Sequence, residues 1–369
     1  MRSNRVELPL GNGPLSPCWR RWTRAARPDE RSASGAWTKR PLTARNPHPA
    51  PLPQGERGES GPEPELSAAK TKAPRILLVG DVMTDVIVRP EGPLARGSDR
   101  RAAIALESGG SAANQAAWLA SFGVAVDLVA RVGLDDVGAE AALLADAGVT
   151  PHLIGDPERP TGRLVALVDP SGERSFFTDR GANEALIAAD IPNALIAGAS
   201  VIHLSGYSFF APSPREAVLD VMRRAGGTPV SVDPASAEFL REVGPEAFFS
   251  WTKGAAILFP NEEEAAVLTG SDHPETQCAR LAALYPLVCV KRGESGCQAA
   301  AGAARWRIAA PKVVAVDTTG AGDAFVAAFL AARLQGAEIE AALKRAVAAG
   351  ADASTRVGGR PRMDILRRS

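Results

Sequence analysis

From Pro74 onward the chain alternates short apolar runs with amphipathic stretches that stop at glycine. This rhythm restricts the fold more than any other feature. "RILLVGDVMTDVIV" (75–88) is a continuous apolar strand that breaks at Gly80 and Asp81, the pattern of a strand buried on both faces with polar groups at its carboxyl end. "SAANQAAWLASFG" (111–123) follows with helical spacing and a glycine stop, then "AVDLVARVG" (125–133) as a strand and "DVGAEAALLADAG" (136–148) as a helix. The alternation resumes through "ASVIHLSG", "PREAVLDVMRRAG", "PVSVDPA", "AAILFPN", "EEEAAVLTG" and "LVCVKRG", and closes with two helices around 322–335 and 338–353. Such a sequence predicts a mostly parallel sheet with helices on both faces. Two β-rich insertions, about 86–108 and 161–181, do not fit that layer. The second reads as a hairpin around "DPSGE", and together they predict a small second sheet acting as a lid.

The first 72 residues follow a different rule. Residues 1–70 hold 11 of the chain's 29 prolines, and no apolar period runs through "RNPHPAPLPQGERGESGPEPE". A segment of this kind cannot bury a core and reads as a disordered Pro/Arg-rich tail, which a start site assigned too early would also produce. It lacks the apolar core of a secretory signal.

Composition removes several classes of function. Forty-two Lys and Arg balance 42 Asp and Glu, so no net charge argues for nucleic acid or a membrane surface. No apolar run approaches the length of a membrane span. Cys18, Cys278, Cys289 and Cys297 show no CxxC spacing, and the four histidines form no zinc pattern. Free thiols and the absent signal give a cytoplasmic expectation.

One stretch carries most of the chemistry. "DTTGAGDAF" (317–325) places Gly320, Ala321 and Gly322 at the start of an apolar helix, with Asp323 in its first turn. Backbone N–H groups at a helix N-terminus attract anions, and glycine lets a phosphate come close. Asp323 would then lie within reach of an attacking hydroxyl as a general base. The same residues also satisfy a plain turn and cap. The spacing matches neither the P-loop nor G-x-G-x-x-G.

"DTTGAGDAF" resembles the C-terminal signature of the PfkB, or ribokinase-like, carbohydrate kinase family. "GGSAANQAAWLASFGVAVDLVARVGLDDVG" (109–138) resembles its N-terminal signature, "PNEEEA" (260–265) its N-x-x-E element, and "VKRGESG" (290–296) its nucleotide-side strand and turn. The likeness runs from about residue 75 to 369, within a kinase domain expected at 73–369. It implies an α/β, ribokinase-like fold: a mostly parallel sheet with helices on both faces plus a small β-sheet lid. It also implies an ATP-dependent sugar kinase that uses Mg2+. Asp323 would be the base and Gly320, Ala321 and Gly322 the anion hole. Asn261 and Glu264 would orient phosphates and Mg2+ through water, where an N-cap and acidic first turn is the alternative. Lys291, Gly293 and Gly296 would border ATP, a solvated strand-end lysine being the alternative for Lys291. Asp85 and Asp81 would bind substrate hydroxyls, facing Gly109, Gly110 and Asn114. Asp317 and Thr319, with carbonyls of "STRVGG" (354–359), resemble loops that bind a monovalent cation such as K+.

Ser111 and Ala112 replace the Lys and Gly usual in the ribokinase subgroup, and Met83 replaces its Asn, which puts ribose itself in doubt. A nucleoside kinase is the neighbouring alternative, for which Phe176 and Phe177 are the nearest stacking groups. A sugar or nucleotide binder without catalysis is a third reading. Arg180 in "RGAN" (180–183) reads as an exposed strand-end residue, with an acidic or phosphorylated sugar as its other reading. A homodimer through the lid is also expected.

Overall fold

The computed structural model describes residues 74–93, 97–168 and 174–361. The tail at 1–72 and the "DPSGE" turn lie outside these residues. Among the described residues there are thirteen strands: β1 (Arg75–Val79), β2 (Met83–Pro90), β3 (Ala102–Gly109), β4 (Ala125–Gly133), β5 (Thr150–Asp156), β6 (Gly162–Val168), β7 (Arg174–Asp179), β8 (Val201–Ser205), β9 (Val230–Asp233), β10 (Ile257–Leu258), β11 (Leu287–Lys291), β12 (Cys297–Ala301) and β13 (Ala304–Ile308). The α-helices are α1 (Ser111–Ser121), α2 (Val137–Asp146), α3 (Asn193–Gly198), α4 (Pro212–Arg224), α5 (Ala237–Val243), α6 (Pro245–Trp251), α7 (Glu262–Thr269), α8 (Pro274–Ala282), α9 (Ala321–Leu334) and α10 (Ile339–Ser354).

The strands form a nine-stranded sheet ordered β13-β12-β11-β10-β9-β8-β1-β4-β5 and a four-stranded sheet ordered β3-β2-β6-β7. From β11 to β5 every pair is parallel, and β12 and β13 add an antiparallel edge. Alternation along β1 explains the layering. Ile76 and Leu78 face a core built with Trp118, Leu119 and Phe329, while Leu77 and Val79 face one built with Val218, Leu240 and Leu258. From β1 the chain runs out to β4 and β5 on one side and later fills β8 to β11 on the other. The strand order therefore reverses between β1 and β8, and open α/β sheets bind ligands outside the carboxyl ends at such a point.

The stretch 75–88, expected as one broken strand, is two strands in two sheets. Gly80 makes the crossing possible, since a Cβ there would lie 2.5 Å from Ala112 Cβ and 2.6 Å from Ser205 Cβ. Asn183 clamps the turn: Val82 N–H donates to its Oδ1 at 3.1 Å and its Nδ2 donates to Val82 O at 3.0 Å. β5, the β12–β13 hairpin and helices α5, α6 and α8 are additions to the expected pattern. β5 carries Pro151 and His152 in a run of weak strand formers, and "CQAAAGAARWRI" is alanine-rich, so neither has strong β patterning.

The smaller sheet draws its strands from the two β-rich insertions. Register sets its faces. Asp85 pairs with Glu107 on β3 and Leu164 on β6, so the three share one face. Val86 pairs with Leu106 and Val165, and Val165 with Phe177. That opposite face exposes Leu106 at 71% and Phe177 at 64%.

Candidate active site

Gly320 starts α9 in the left-handed conformation, φ 73° and ψ 0°. A Cβ there would meet Gly359 O at 2.5 Å, so glycine is required by both backbone and space. In the first turn, Ala321 N–H donates to Thr318 O and Ala324 N–H to Gly320 O. Among the described residues no acceptor pairs the N–H groups of Gly322 and Asp323, the orphan donors of a helix start. Ala321, expected in the anion hole, spends its donor on the turn. The open donors are those of the next two residues.

Three residues of α1 grip the Asp323 carboxylate. Ser111 Oγ donates to Oδ1 at 2.7 Å, Gln115 Nε2 to Oδ1 at 3.1 Å, and Asn114 Nδ2 to Oδ2 at 3.2 Å. Burial pushes this carboxyl up to about 7. The Ser111 and Asn114 hydrogen bonds and the Lys291 charge oppose the rise, and the Asp233 charge adds to it. A carboxylate so placed is suited to exchange a proton near neutral pH.

Lys291 ends β11, and its ammonium binds Asp233 Oδ2, at the end of β9, at 2.7 Å. A Cβ on Gly322 would be 3.6 Å from Lys291 Nζ, so the ammonium sits beside the start of α9. Only 13% of its side chain is exposed, which overturns the solvated strand-end alternative. Burial works against its charge, but Asp233 and Glu264 outweigh burial and hold the Lys291 pKa above its usual value.

Asn261 and Glu264 form a reciprocal capping box on α7. Glu264 N–H donates to Asn261 Oδ1 at 2.8 Å, while Asn261 N–H and Nδ2 donate to Glu264 Oε2 and Oε1 at 2.7 and 2.8 Å. Glu264 is buried, and burial pushes its carboxyl up to about 7 against the Lys291 charge. Gly293 and Gly296 border the turn between β11 and β12. Gly293 faces open space, whereas a Cβ on Gly296 would strike Ile308 O at 2.0 Å, so Gly296 is needed to fit the β13 end.

On the acceptor side, Asp81 is buried and committed. Its oxygens accept the N–H groups of Ser111 and Ala112 at the start of α1, Ser205 Oγ at 2.9 Å, and Arg180 at 3.5 Å. Arg180 was expected at an exposed strand end, but only 14% of its side chain is exposed. It stacks over the Tyr207 ring at 4.3 Å, a cation–π contact that holds it down. Beside them a cavity is lined by Tyr207, Phe210 and Phe239.

Asp85 differs from Asp81. Its Oδ1 is buried with no hydrogen-bond partner among the described residues, and a Cβ on Gly109 would overlap its carboxylate at 2.3 Å. Burial pushes Asp85 up to about 6, helped by Asp81 and opposed by Arg360. A buried acceptor of this kind wants a donor such as a ligand hydroxyl. Gly110 has φ 94°, and a Cβ there would meet Asp81 O at 2.6 Å. Asn114 joins the two halves, donating to Asp323 and accepting from Arg360 Nε at 3.3 Å.

Asp317 receives Thr319 N–H on Oδ1 at 2.7 Å and Gly358 N–H on Oδ2 at 3.2 Å, and Val316 and Asp317 N–H both donate to Ser354 O. The loop before α9 and the loop after α10 are thus one unit. Among the described residues no cluster of three or more His, Cys, Asp or Glu could hold a metal.

Sequence reasoning passed over Ser111 as a partner of Asp323, and Gln115, Asp233 and Arg360 altogether. Ser111 and Gln115 lie inside the quoted 109–138 stretch. Asp233 ends an apolar strand in "VDPA", as Asp81 follows one, and that position was the available signal. Arg360 directly follows "STRVGG" and has no local signal.

The profile of the pfkB family carbohydrate kinases matches residues 73–365. The chain belongs to the PfkB family. An ATP-dependent ribose-1-phosphate kinase of Halopiger xanaduensis is 33% identical over 296 residues, 78% of this chain and 94% of that one. Adenosine kinase from Sinorhizobium meliloti superposes with a TM-score of 0.72 at 25% identity, covering 80% of this chain and 98% of that one. An E. coli protein solved with ATP and Mg2+ gives 0.69 at 26%, covering 80% and 100%. This PfkB protein is therefore a sugar or nucleoside kinase, a phosphotransferase acting on a hydroxyl group, with a ribokinase-like fold. No helix among its described residues is long and apolar enough to cross a membrane.

Proposed function

We propose that this kinase moves the γ-phosphoryl group of ATP to a hydroxyl, most simply a primary one, of a carbohydrate. The observation that carries the reading is the link that Asn114 makes between two groups. Asp323 sits beside two N–H groups at the start of α9 that have no partner among the described residues, and Asn114 links it to the wall that also holds Asp85.

In this reading Asp85 accepts hydrogen bonds from sugar hydroxyls and Gly109 and Gly110 leave room for the ring. Asp81 acts indirectly, by fixing the start of α1. Asp323 takes the proton of the attacking hydroxyl. The N–H groups of Gly322 and Asp323, with Gly320 shaping the turn, hold the charge of the group in transit, where positioning and charge supply most of the catalysis. Lys291 lends positive charge beside the start of α9.

When bound, Mg2+ would supply positive charge against the charge of the phosphate groups. The donor set suits an ion carried mainly by phosphates and water, because the protein offers oxygen ligands without a closed metal cage. Asn261 and Glu264 would reach it through water. Asp317, Thr319 and the Ser354–Gly359 loop would hold K+ through backbone carbonyls.

The four-stranded sheet is the lid, and its closure would exclude water. Its exposed outer row, with Leu106 and Phe177, is where a second copy would pair. The cytoplasm is the compartment this reading assigns, since the reaction consumes ATP. Nucleoside phosphorylation is the second reading. It is favoured by Phe176, which pairs with Ala166 and so lies on the Asp85 face of the lid.

Coupled ADP release with Mg·ATP across pentoses, hexoses, sugar acids, sugar phosphates and nucleosides tests both. Turnover confined to carbohydrates supports the first reading, turnover confined to nucleosides replaces it with the second, and release with no acceptor sinks both.

A further inference from the structure

Arg360 enters the acceptor wall from the loop that follows α10. Trp118 Nε1 anchors that loop by donating to Gly359 O at 2.9 Å. The Arg360 guanidinium donates from Nε to Asn114 Oδ1 at 3.3 Å and from a terminal nitrogen to Gly109 O at 3.1 Å. Gly109 is the residue against which the Asp85 carboxylate packs, so Arg360 and Asp85 flank the same point of the wall.

Two arginines border this region, and they differ in one respect. Arg180 is paired with Asp81 and stacked on Tyr207. Among the described residues, Arg360 has no carboxylate within ion-pair distance. Both of its hydrogen-bond partners there are neutral oxygens and it is half-buried; burial holds its pKa below the usual value, while Glu140 and Asp85, beyond ion-pair distance, oppose that. A guanidinium has five N–H donors. Two are used among the described residues, which leaves three on a planar group whose geometry matches carboxylate or phosphate. A cation withdrawn from water with no counter-charge in contact is costly, and an anion arriving with the substrate would reduce that cost.

We infer that the acceptor sugar carries an anionic substituent, a phosphate ester or a carboxylate, and that Arg360 recognises it. The inference rests on the kinase reading above and narrows its substrate class. Asp85 and Asn114 hold the hydroxyl side of the sugar and Arg360 the charged side, so the reacting hydroxyl is turned toward Asp323.

The test is steady-state ADP release by the full chain on matched pairs: ribose and fructose against their phosphate esters, and hexoses against the corresponding sugar acids. The wild type is expected to favour the anionic member by on the order of 100-fold in kcat/KM. In Arg360→Gln that ratio collapses toward unity, mainly through KM, and Arg360→Lys keeps an intermediate ratio because it retains charge without the fork. Preference for phosphate esters alone, or for acids alone, identifies the anion. A wild type that favours the neutral members overturns the inference, as does an unchanged ratio in Arg360→Gln. A structural tie would lower turnover of both members equally and leave the ratio intact. Should Arg360→Gln fail to fold, thermal shifts of the wild type with each pair decide: stabilisation by the anionic members supports the inference, and stabilisation by the neutral members alone defeats it. Anionic sugars that bind in this way without ADP release would leave the inference standing and sink the kinase reading.

Discussion

Ser111 and Asp323 lie 212 positions apart and share a 2.7 Å hydrogen bond. It brings the first turn of α1 against the first turn of α9, so two helix N-termini converge on one carboxylate. The donors that surround Asp323 set its charge state as well as its position.

A pH dependence follows from this arrangement. Burial raises the Asp323 carboxyl to about 7, and a base works only when deprotonated, so kcat/KM should rise with pH through an acid limb near 7. The Ser111 hydrogen bond opposes that rise. Ser111→Ala should therefore move the limb upward by roughly one unit. A pH–rate profile of both proteins checks this, and a limb that stays in place would show that another group controls it.

The same shift bears on stability. Asp323 and Glu264 are both raised in the folded state, to about 7. Their contribution is fully present below the carboxyl values of the unfolded chain and is lost as pH rises through 7. Asp323→Asn should thus unfold at a temperature about 2–4 °C above the wild type at pH 8, with the gap closing near pH 5. Melting curves at the two pH values decide it.

Lys291 and Asp233 form an ion pair with 13% and 6% of their side chains exposed. Lys291→Met would leave Asp233 without its counter-charge and cost about 3–5 kcal/mol. Adding Asp233→Asn should return most of the stability, because the carboxylate that Lys291 contacted is no longer charged, but not the activity. Urea unfolding of the single and double variants measures the coupling. Additive losses would mean that the pair carries little.

At Glu264 the cap and the metal role can be separated. Glutamine also satisfies a capping box, so Glu264→Gln should keep stability within about 1 kcal/mol of the wild type. If Glu264 helps to orient Mg2+, the KM for Mg·ATP should still rise on the order of 10-fold. Titration of Mg2+ at fixed ATP reads the effect, and an unchanged KM would reduce Glu264 to a cap.

Much of the layer order was legible because helical and strand periods alternate along most of the stretch from β1 to α10, outside the two β-rich insertions. The break at Gly80 and Asp81 was visible as well, but not its meaning. A strand period reports burial and cannot say that residues 83–90 belong to a different sheet. Asp323 stood out because two glycines and an acid at a helix start have few uses. Asp85 and Asp81 looked alike in "GDVMTD", and only packing separates a carboxylate spent on capping α1 from one with an unpaired oxygen. Asp233 and Arg360 were illegible for a related reason. Their roles come from contacts with residues 58 and 246 positions away, and nothing near them in the chain announces those contacts.

The central claim is that Asp323 is the base of a phosphoryl transfer. The most direct test is kcat of Asp323→Asn beside the wild type, on the best acceptor found, with folding verified by melting. Asparagine keeps the size and can still accept from Ser111, but it cannot take the proton. The account predicts a loss of about two to four orders of magnitude in kcat with the fold intact. A folded variant within tenfold of the wild type would contradict it.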